Sequence, residues 1–411
     1  MAGGMYYDSG GHKGRSSIFD CGSGRGAWHI WRDSNDGNRM PNRESLILRV
    51  IDAAMTVLTV ICIIISVLML LVPNVPPARL GVLPVLALVA PLVYVVTVMM
   101  MLYWIIRWRW RRASVMTVLV VVGMFYAPRY YIPQFRRSYD EDSYPRSAIK
   151  VMSYNLRGFF PDALEDDYTT DSIAAFVLRA NPDIICFQEC WMHNDEMCRR
   201  FDSLLGDYRK SVLDVVHPPI AIYSRFKILG TNRVAYLDAD SLPEGKGMWA
   251  DLLIGSDTVR VFNVHLNGTS INRNDVDYIV NYQYMSDSAR NSKLYDMIKR
   301  LNVNTINRSY HVDALVEALR ETDRPKILCG DFNDTPMSYA YNSLSRNMKD
   351  AFRECGHGYS HTFRRFFDLL RIDFALFDEE RFDVLSYEVP DSVCWSDHLP
   401  VCVRVELRRE I

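Results

Sequence analysis

Apolar residues along this chain fall into two regimes. Up to about residue 132 they form unbroken blocks. Ala53–Val72 is a run of 20 residues and Leu80–Ile106 a run of 27, both without a charge. Ala113–Ala127 covers 15 residues, and Tyr130, Tyr131 and Ile132 extend it to marginal spanning length. About 20 apolar residues cross a bilayer, and soluble helices seldom stay apolar on every face for so long. The pattern predicts an α-helical transmembrane region over 43–132 with about three helices, at 50–72, 80–106 and 113–132. From Lys150 onward the apolar runs shorten and become rich in β-branched and aromatic residues. They predict strands at Ile149–Tyr154, Ile184–Phe187, Ile220–Tyr223, Met248–Leu253, Val259–Leu266, Ile327–Cys329, Ile372–Phe377 and Val401–Val405. Amphipathic stretches between them predict helices at Asp171–Ala180, Asp195–Leu205 and within Ser288–Arg320. Strands mixed with helices over 148–411 imply a layered α/β domain. Residues 1–42, rich in Gly, Ser, Asn and Arg, read as a mobile tail without a secretory signal, and 133–147 as a polar linker.

Charge sharpens this division. Residues 1–144 carry 15 Lys/Arg against 9 Asp/Glu and the remainder 32 against 40, so +6 and −8 sum to the chain's −2. The acidic remainder counts against a tight, sequence-blind nucleic-acid binder, which needs a basic face. In the first part, Arg43 and Arg49 precede the first span, while Arg107, Arg109, Arg111 and Arg112 fill the turn before the third. By the positive-inside tendency those ends are cytoplasmic. Three crossings then predict a multi-pass protein of the cell (inner) membrane, with the domain on the outer or periplasmic side.

Candidate chemistry lies where the strands stop. The first predicted strand ends at Asn155, the second at Gln188-Glu189, the fifth at His265 with Asn267 beyond, and the sixth at Gly330-Asp331-Phe332-Asn333. Ile372 is followed at once by Asp373, and Ser396-Asp397-His398 precedes the last strand. Strand ends in layered α/β domains commonly open onto a cleft. Taken singly, Asn155 reads as a turn residue, Glu189 as a helix-start acid and His265 as a core histidine. Asp373, between Ile372 and Phe374, needs a partner or a metal. Together they would bring carboxylates, amides and imidazoles to one place. Carboxylates without sulfur ligands favour a hard cation such as Mg²⁺ or Mn²⁺. With an activated water, such a set suits hydrolysis of a phosphate ester.

These motifs, in this order from Lys150 to Leu407, resemble those of the endonuclease/exonuclease/phosphatase superfamily, which includes deoxyribonuclease I-like enzymes. The carriers are Ser153-Tyr154-Asn155-Leu156, Phe187-Gln188-Glu189, Asn263-Val264-His265-Leu266, Gly330-Asp331-Phe332-Asn333, Arg371-Ile372-Asp373 and Ser396-Asp397-His398. The resemblance implies a four-layer α/β sandwich, with two packed mixed β-sheets flanked by helices. It implies that Glu189, Asn155 and Asp397 serve the metal site. It further implies that Asp331 activates water, that Asn333 binds the scissile phosphate, and that His398, fixed by Asp373, stabilises the pentavalent phosphorus. His265 would stand near the leaving group. Arg157 departs from apurinic endonucleases, which carry an acid there, and Asn267–Asp287 is an added segment suited to selecting substrate. The spans joined to such a domain also resemble membrane proteins of the Bacteroides type.

The expected activity is therefore that of a membrane-anchored, metal-dependent phosphoesterase acting on nucleic acid or phospholipid headgroups. Its partners would be the bilayer and the phosphate ester. The alternative is a non-catalytic module of the same fold that binds a phosphorylated partner; its signature would be loss of Glu189, Asp331 or His398, and all three are present. A transport role is disfavoured because the uncharged runs hold no acid or base.

Overall fold

The computed structural model describes residues 46–81, 83–133, 143–159, 169–190, 195–213, 219–234, 246–268, 287–364 and 368–408. The tail at 1–42, most of the linker and nearly all of the Asn267–Asp287 segment lie outside the described residues. The chain forms two compact units, Met1–Ala53 and Ala54–Ile411. The first contributes only the opening turns of α1 to the described residues.

Three helices come first: α1 (Leu46–Leu71), α2 (Ala90–Ile106) and α3 (Trp110–Met124). Leu46–Leu71 and Leu83–Ile106, the latter opening with a 3₁₀ stretch, are long and apolar enough to cross a membrane. Trp104 Nε1 donates to Thr59 Oγ1 at 2.8 Å, and Cys62 Sγ and Ser66 Oγ both approach Thr97 Oγ1 at 3.3 Å. That pairing runs α2 antiparallel to α1. The Arg112 guanidinium stacks on the Trp104 ring at one end of α3, and Gly123 abuts the Tyr94 ring at the other. Thus α3 returns antiparallel to α2. The third helix is shorter than its sequence suggested. Pro128 lacks an N–H and cannot continue a helix, so Ala127–Arg129 forms a 3₁₀ turn and Tyr131–Ile132 becomes a short strand, β1. At 15 residues α3 is about 22 Å long, against a hydrocarbon core of about 30 Å.

The rest of the chain continues as β2 (Ile149–Asn155), α4 (Thr169–Ala180), β3 (Ile184–Gln188), α5 (Asp195–Leu204), β4 (Arg209–Leu213), β5 (Ile220–Ser224), β6 (Lys227–Arg233), β7 (Lys246–Ile254) and β8 (Asp257–His265). Then come α6 (Asp287–Arg320), β9 (Lys326–Asp331), α7 (Tyr339–Leu344), β10 (Met348–Asp350), α8 (Ala351–Cys355), β11 (Gly358–Tyr359), β12 (Asp373–Asp378), β13 (Phe382–Glu388) and β14 (Val401–Leu407). One six-stranded sheet has the order β13-β14-β2-β3-β5-β4 and the other β10-β12-β9-β8-β7-β6. Each is mixed, because β2 runs parallel to β3 and β8 parallel to β9 among otherwise antiparallel neighbours. β1 pairs with β11 in a separate two-stranded sheet.

Alternation along the strands builds the layers. Val151, Ile184, Cys186 and Ile222 of the first sheet face Ala250, Val261, Ile327 and Phe377 of the second in one buried cluster between the sheets. Their neighbours Met152, Ile185, Phe187 and Tyr223 point outward, onto Ile173 and Val177 of α4 and Phe201 of α5. On the opposite side Phe262, Leu328 and Phe374 pack on Val312 and Leu315 of α6 and on Tyr341 of α7. The result is a four-layer α/β sandwich of two mixed β-sheets flanked by helices. The edge strands β4, β6, β10 and β13 had no counterpart among the predicted strands.

Candidate active site

The parallel pairs β2/β3 and β8/β9 set the register that assembles the site. Asn155 lies opposite Gln188 at the end of the first pair, and His265 opposite Asp331 at the end of the second. Asp373 opens β12 directly across from Asp331. Gly330 makes this junction possible. Its φ is +148°, and a Cβ there would lie 1.9 Å from the Val264 carbonyl oxygen, so only glycine lets β8 and β9 approach this closely before Asp331. Glu189 and Asn333 both take left-handed conformations, with φ of 48° and 52°. Such strain is concentrated at functional positions.

Asp331 is the focus. Its Oδ2 accepts from Asn155 Nδ2 at 3.0 Å and from Asn333 Nδ2 at 3.1 Å, while its Oδ1 accepts from the Asn333 backbone N–H at 2.8 Å. The same Oδ2 lies 3.7 Å from His265 Nε2 and 3.8 Å from His398 Nε2. Asn155 Nδ2 and His265 Nε2 each also stand 3.3 Å from Glu189 Oε1. His398 Nδ1 sits 3.0 and 3.2 Å from the two Asp373 oxygens, and its ring leans on Phe363 with centroids 5.0 Å apart. Asp397 Oδ2 pairs with Arg157 Nε at 3.4 Å. All eight side chains singled out from the sequence, Asn155, Glu189, His265, Asp331, Asn333, Asp373, Asp397 and His398, therefore gather at one end of the two sheets.

Burial makes the electrostatics strong. Desolvation, and then the Asp373 charge, push the Asp331 carboxyl up to about 7. Burial works against a charged His398 ring, but Asp373 and then Asp331 outweigh it and raise the imidazole to about 10. His398 is thus an imidazolium at neutral pH, held through Nδ1 with Nε2 toward Asp331.

Several supporting groups were given no role of their own in the sequence reading. Gln188 Nε2 donates across the inter-sheet space to Asn263 Oδ1 at 2.7 Å, and Asn263 Nδ2 donates to the Phe187 and Ala221 carbonyls at 2.9 Å each. This buried amide pair ties the two sheets together beneath the site. Both residues lie in motifs that carry the resemblance, but nothing in the sequence paired them with one another. Thr362 Oγ1 receives the backbone N–H groups of Ile372 and Asp373, and Ser396 Oγ donates to the Asn155 carbonyl while accepting from the His398 N–H.

A divalent cation fits this donor set. Asp331, Asp373 and His398 offer ligand atoms within 4.8 Å of one another. His398, however, is held as a cation by Asp373, and a cation repels a metal. The oxygen-rich mouth formed by Glu189, Asn155 and Asp331 is the better cradle, since both carboxylates reach the Asn155 amide and the nearby Arg157 is engaged by Asp397.

Residues 152–398, more than half of the chain, match the model of the Endonuclease/Exonuclease/phosphatase family. Residues 52–130 match the model of a domain of unknown function. Among solved structures, an endonuclease/exonuclease/phosphatase from Bacteroides vulgatus is similar at 20% identity and a TM-score of 0.46, covering 64% of this chain and 100% of its own. The human Nocturnin catalytic domain is similar at 20% identity and 0.45, over 64% and 94%. A mannosyl-6-phosphatase from Bacteroides thetaiotaomicron is similar at 19% and 0.44, over 62% and 99%. No curated protein matches the chain.

Proposed function

The chain belongs to the endonuclease/exonuclease/phosphatase family, and from that premise we propose that it is a membrane-anchored phosphoesterase that uses Mg²⁺ or Mn²⁺. The observation that supports this most is the convergence on Asp331 Oδ2 of amides and imidazoles from four separate chain segments. In this reading Asp331 holds and deprotonates the attacking water, a task suited to a carboxyl whose affinity for protons is raised toward neutrality. Asn155 and Asn333 hold phosphate oxygens, and the His398 imidazolium, fixed by Asp373, faces the charge that develops on phosphorus. His265 would give a proton to the leaving oxygen. Glu189 and Asn155, with Asp331 beside them, would hold the cation, and Asp397, paired with Arg157, would add its charge from alongside. Bound there, the cation would neutralise phosphate charge as a Lewis acid.

We further propose that the N-terminal helices are a multi-pass anchor in the inner membrane, with the catalytic domain on the outer, periplasmic side. The antiparallel order of α1, α2 and α3 supports three passes, with the 3₁₀ turn Ala127–Arg129 adding length beyond the short α3. The Arg107–Arg112 turn lies at the opposite end of the bundle from the residue 72–89 link and the exit from α3. The domain meets that second end through Thr335 Oγ1, which donates to the Ala87 carbonyl, and through Arg129, which donates to the Pro336 carbonyl. The basic end would then be cytoplasmic.

Full-length protein in detergent with Mg²⁺ should hydrolyse bis-p-nitrophenyl phosphate or a soluble phosphomonoester. Asp331→Ala and His398→Ala should each slow that reaction by about 10²–10⁴-fold. A wild-type protein inert toward every phosphoester, or an Asp331→Ala variant of undiminished rate, would defeat the proposal.

A further inference from the structure

A cavity of about 440 Å³ opens where the helical bundle meets the catalytic domain. Its walls include Met69 of α1, Val93 of α2, Leu119 of α3 and Ala127 beyond it, completed by Met337 and Tyr359 of the catalytic domain, and no charged residue lines it. This size is typical of small-molecule pockets. An apolar cavity does not hold water well, and without a charged or basic wall it cannot seat a phosphate backbone.

The position of the cavity relative to the chemistry gives it meaning. Met337 is the fourth residue after Asn333, and Tyr359 the fourth before Phe363, whose ring packs on His398. The same loops are pinned to the helices. Thr335 Oγ1 donates to the Ala87 carbonyl at 2.9 Å, Arg129 donates to the Pro336 carbonyl at 2.9 Å and to Asn342 Oδ1 at 3.0 Å, and Arg371, two residues before Asp373, donates to the Arg129 carbonyl at 2.9 Å. The segments leaving Asp331 and entering Asp373 are thus the ones seated against the end of the bundle. The active-site edge of the sandwich, rather than its far side, meets the spans.

We infer that this cavity receives the hydrocarbon tail of a membrane amphiphile whose phosphate ester is presented to Asp331 and His398, so that the substrate is a lipid-borne phosphoester. The inference rests on the phosphoesterase reading. The occupant follows from the surroundings. The walls belong to the last turns of α1 and α3 and the first turns of α2, segments that the anchor reading immerses in lipid, and a tail can pass from bilayer to cavity without entering water. In the reaction, the oxygen of water bonds to phosphorus and the ester P–O bond breaks. The proton from water passes to Asp331, and the departing lipid alcohol oxygen gains one from His265 or solvent.

The test uses the full chain in detergent micelles with Mg²⁺ and four probes: dioleoyl phosphatidic acid, dihexanoyl phosphatidic acid, glycerol 3-phosphate and a single-stranded oligonucleotide. Long-chain phosphatidic acid should be hydrolysed about 100-fold faster, as kcat/KM, than glycerol 3-phosphate, because binding of the remote tail is used to orient the reacting phosphate. Leu119→Trp, which fills the cavity, should cut the ratio of those two rates about 10-fold or more. Val118→Trp, on the exposed face of the same helix, should not. Native mass spectrometry of the Asp331→Ala chain with added dioleoyl phosphatidic acid should find one lipid retained, and lost when Leu119→Trp is added. A binding result separates the two layers of the argument. Retained lipid with no hydrolysis of any probe supports the tail site and sinks the phosphoesterase reading. Absence of retained lipid, an unchanged rate ratio in Leu119→Trp, or a preference for the oligonucleotide overturns the tail site.

Discussion

Replacing Asp373 by Asn should produce a catalytic defect that depends on pH in a calculable way. Asp373 is buried, and both of its oxygens lie within 3.2 Å of His398 Nδ1. It is the largest of the influences that raise the His398 imidazole, which reaches about 10 despite burial. An amide keeps the shape but removes the charge. Burial then acts on the ring without its main partner, and the imidazole should fall toward its ordinary value of about 6.5, with Asp331 still raising it. At pH 8 a group of pKa about 6.5 is about 3% charged, so the variant loses up to about 30-fold, equivalent to about 2 kcal/mol, from charge state alone. At pH 5.5 it is about 90% charged and that part of the loss should vanish. Asp331 also loses the Asp373 charge that raises it, so in acid it is less protonated in the variant than in wild type, which lowers the ratio further in the same direction. The assay is hydrolysis of a soluble phosphoester from pH 5.5 to 8.5, read as the ratio of wild-type to variant kcat/KM. A ratio that stays flat across this range would refute the charge argument and leave Asp373 only an orienting role.

Stability should follow the same pair. The folded pKa of His398 lies above its unfolded value, so its contribution is fully present below about pH 6.5 and is lost as pH rises through about 10. Denaturant titrations should show this loss in wild type and not in Asp373→Asn. Gly330→Ala should destabilise the chain by about 3 kcal/mol or more in the same titrations, because its Cβ would strike the Val264 carbonyl and the β8/β9 pair would have to separate. Arg371→Met should cost about 3–5 kcal/mol, since it strips buried Asp350 of a two-point ion pair at 2.8 and 3.0 Å, and a second change, Asp350→Leu, should recover much of it. Chelation with EDTA should abolish hydrolysis, and Mg²⁺ or Mn²⁺ should restore it. Glu189→Gln should raise the cation concentration needed for half-maximal rate.

Much of this protein was legible without coordinates because its informative residues interrupt otherwise apolar segments. The central strands β2, β3, β8, β9 and β12 are buried on both faces and read as continuous apolar runs. Asn155, Glu189, His265, Asp331 and Asp373 stand out because they break those runs at one end. Besides the short β1/β11 pair, the strands that escaped notice, β4, β6, β10 and β13, are the four edges of the two six-stranded sheets. An edge strand is half solvated, so its pattern is polar and irregular; β6 is exposed at most of its positions. The third helix was overestimated because hydropathy counts Tyr130–Ile132 as apolar, whereas the missing N–H of Pro128 ends the helix.

Sequence alone determined that long uncharged segments precede an α/β domain and which acids, amides and imidazoles end its strands, since both are written in consecutive residues. Tertiary structure alone decided that Asp331 is the point on which the others converge, because register between β2/β3 and β8/β9 is a non-local property that no single segment encodes. It alone paired Gln188 with Asn263 and Arg371 with Asp350. It also turned the loops after Asp331 and before Asp373 toward the helices, where Arg129 holds both. Those contacts join residues more than 200 positions apart, and a hydrogen bond depends on where the folded chain puts its partners, not on their distance along it.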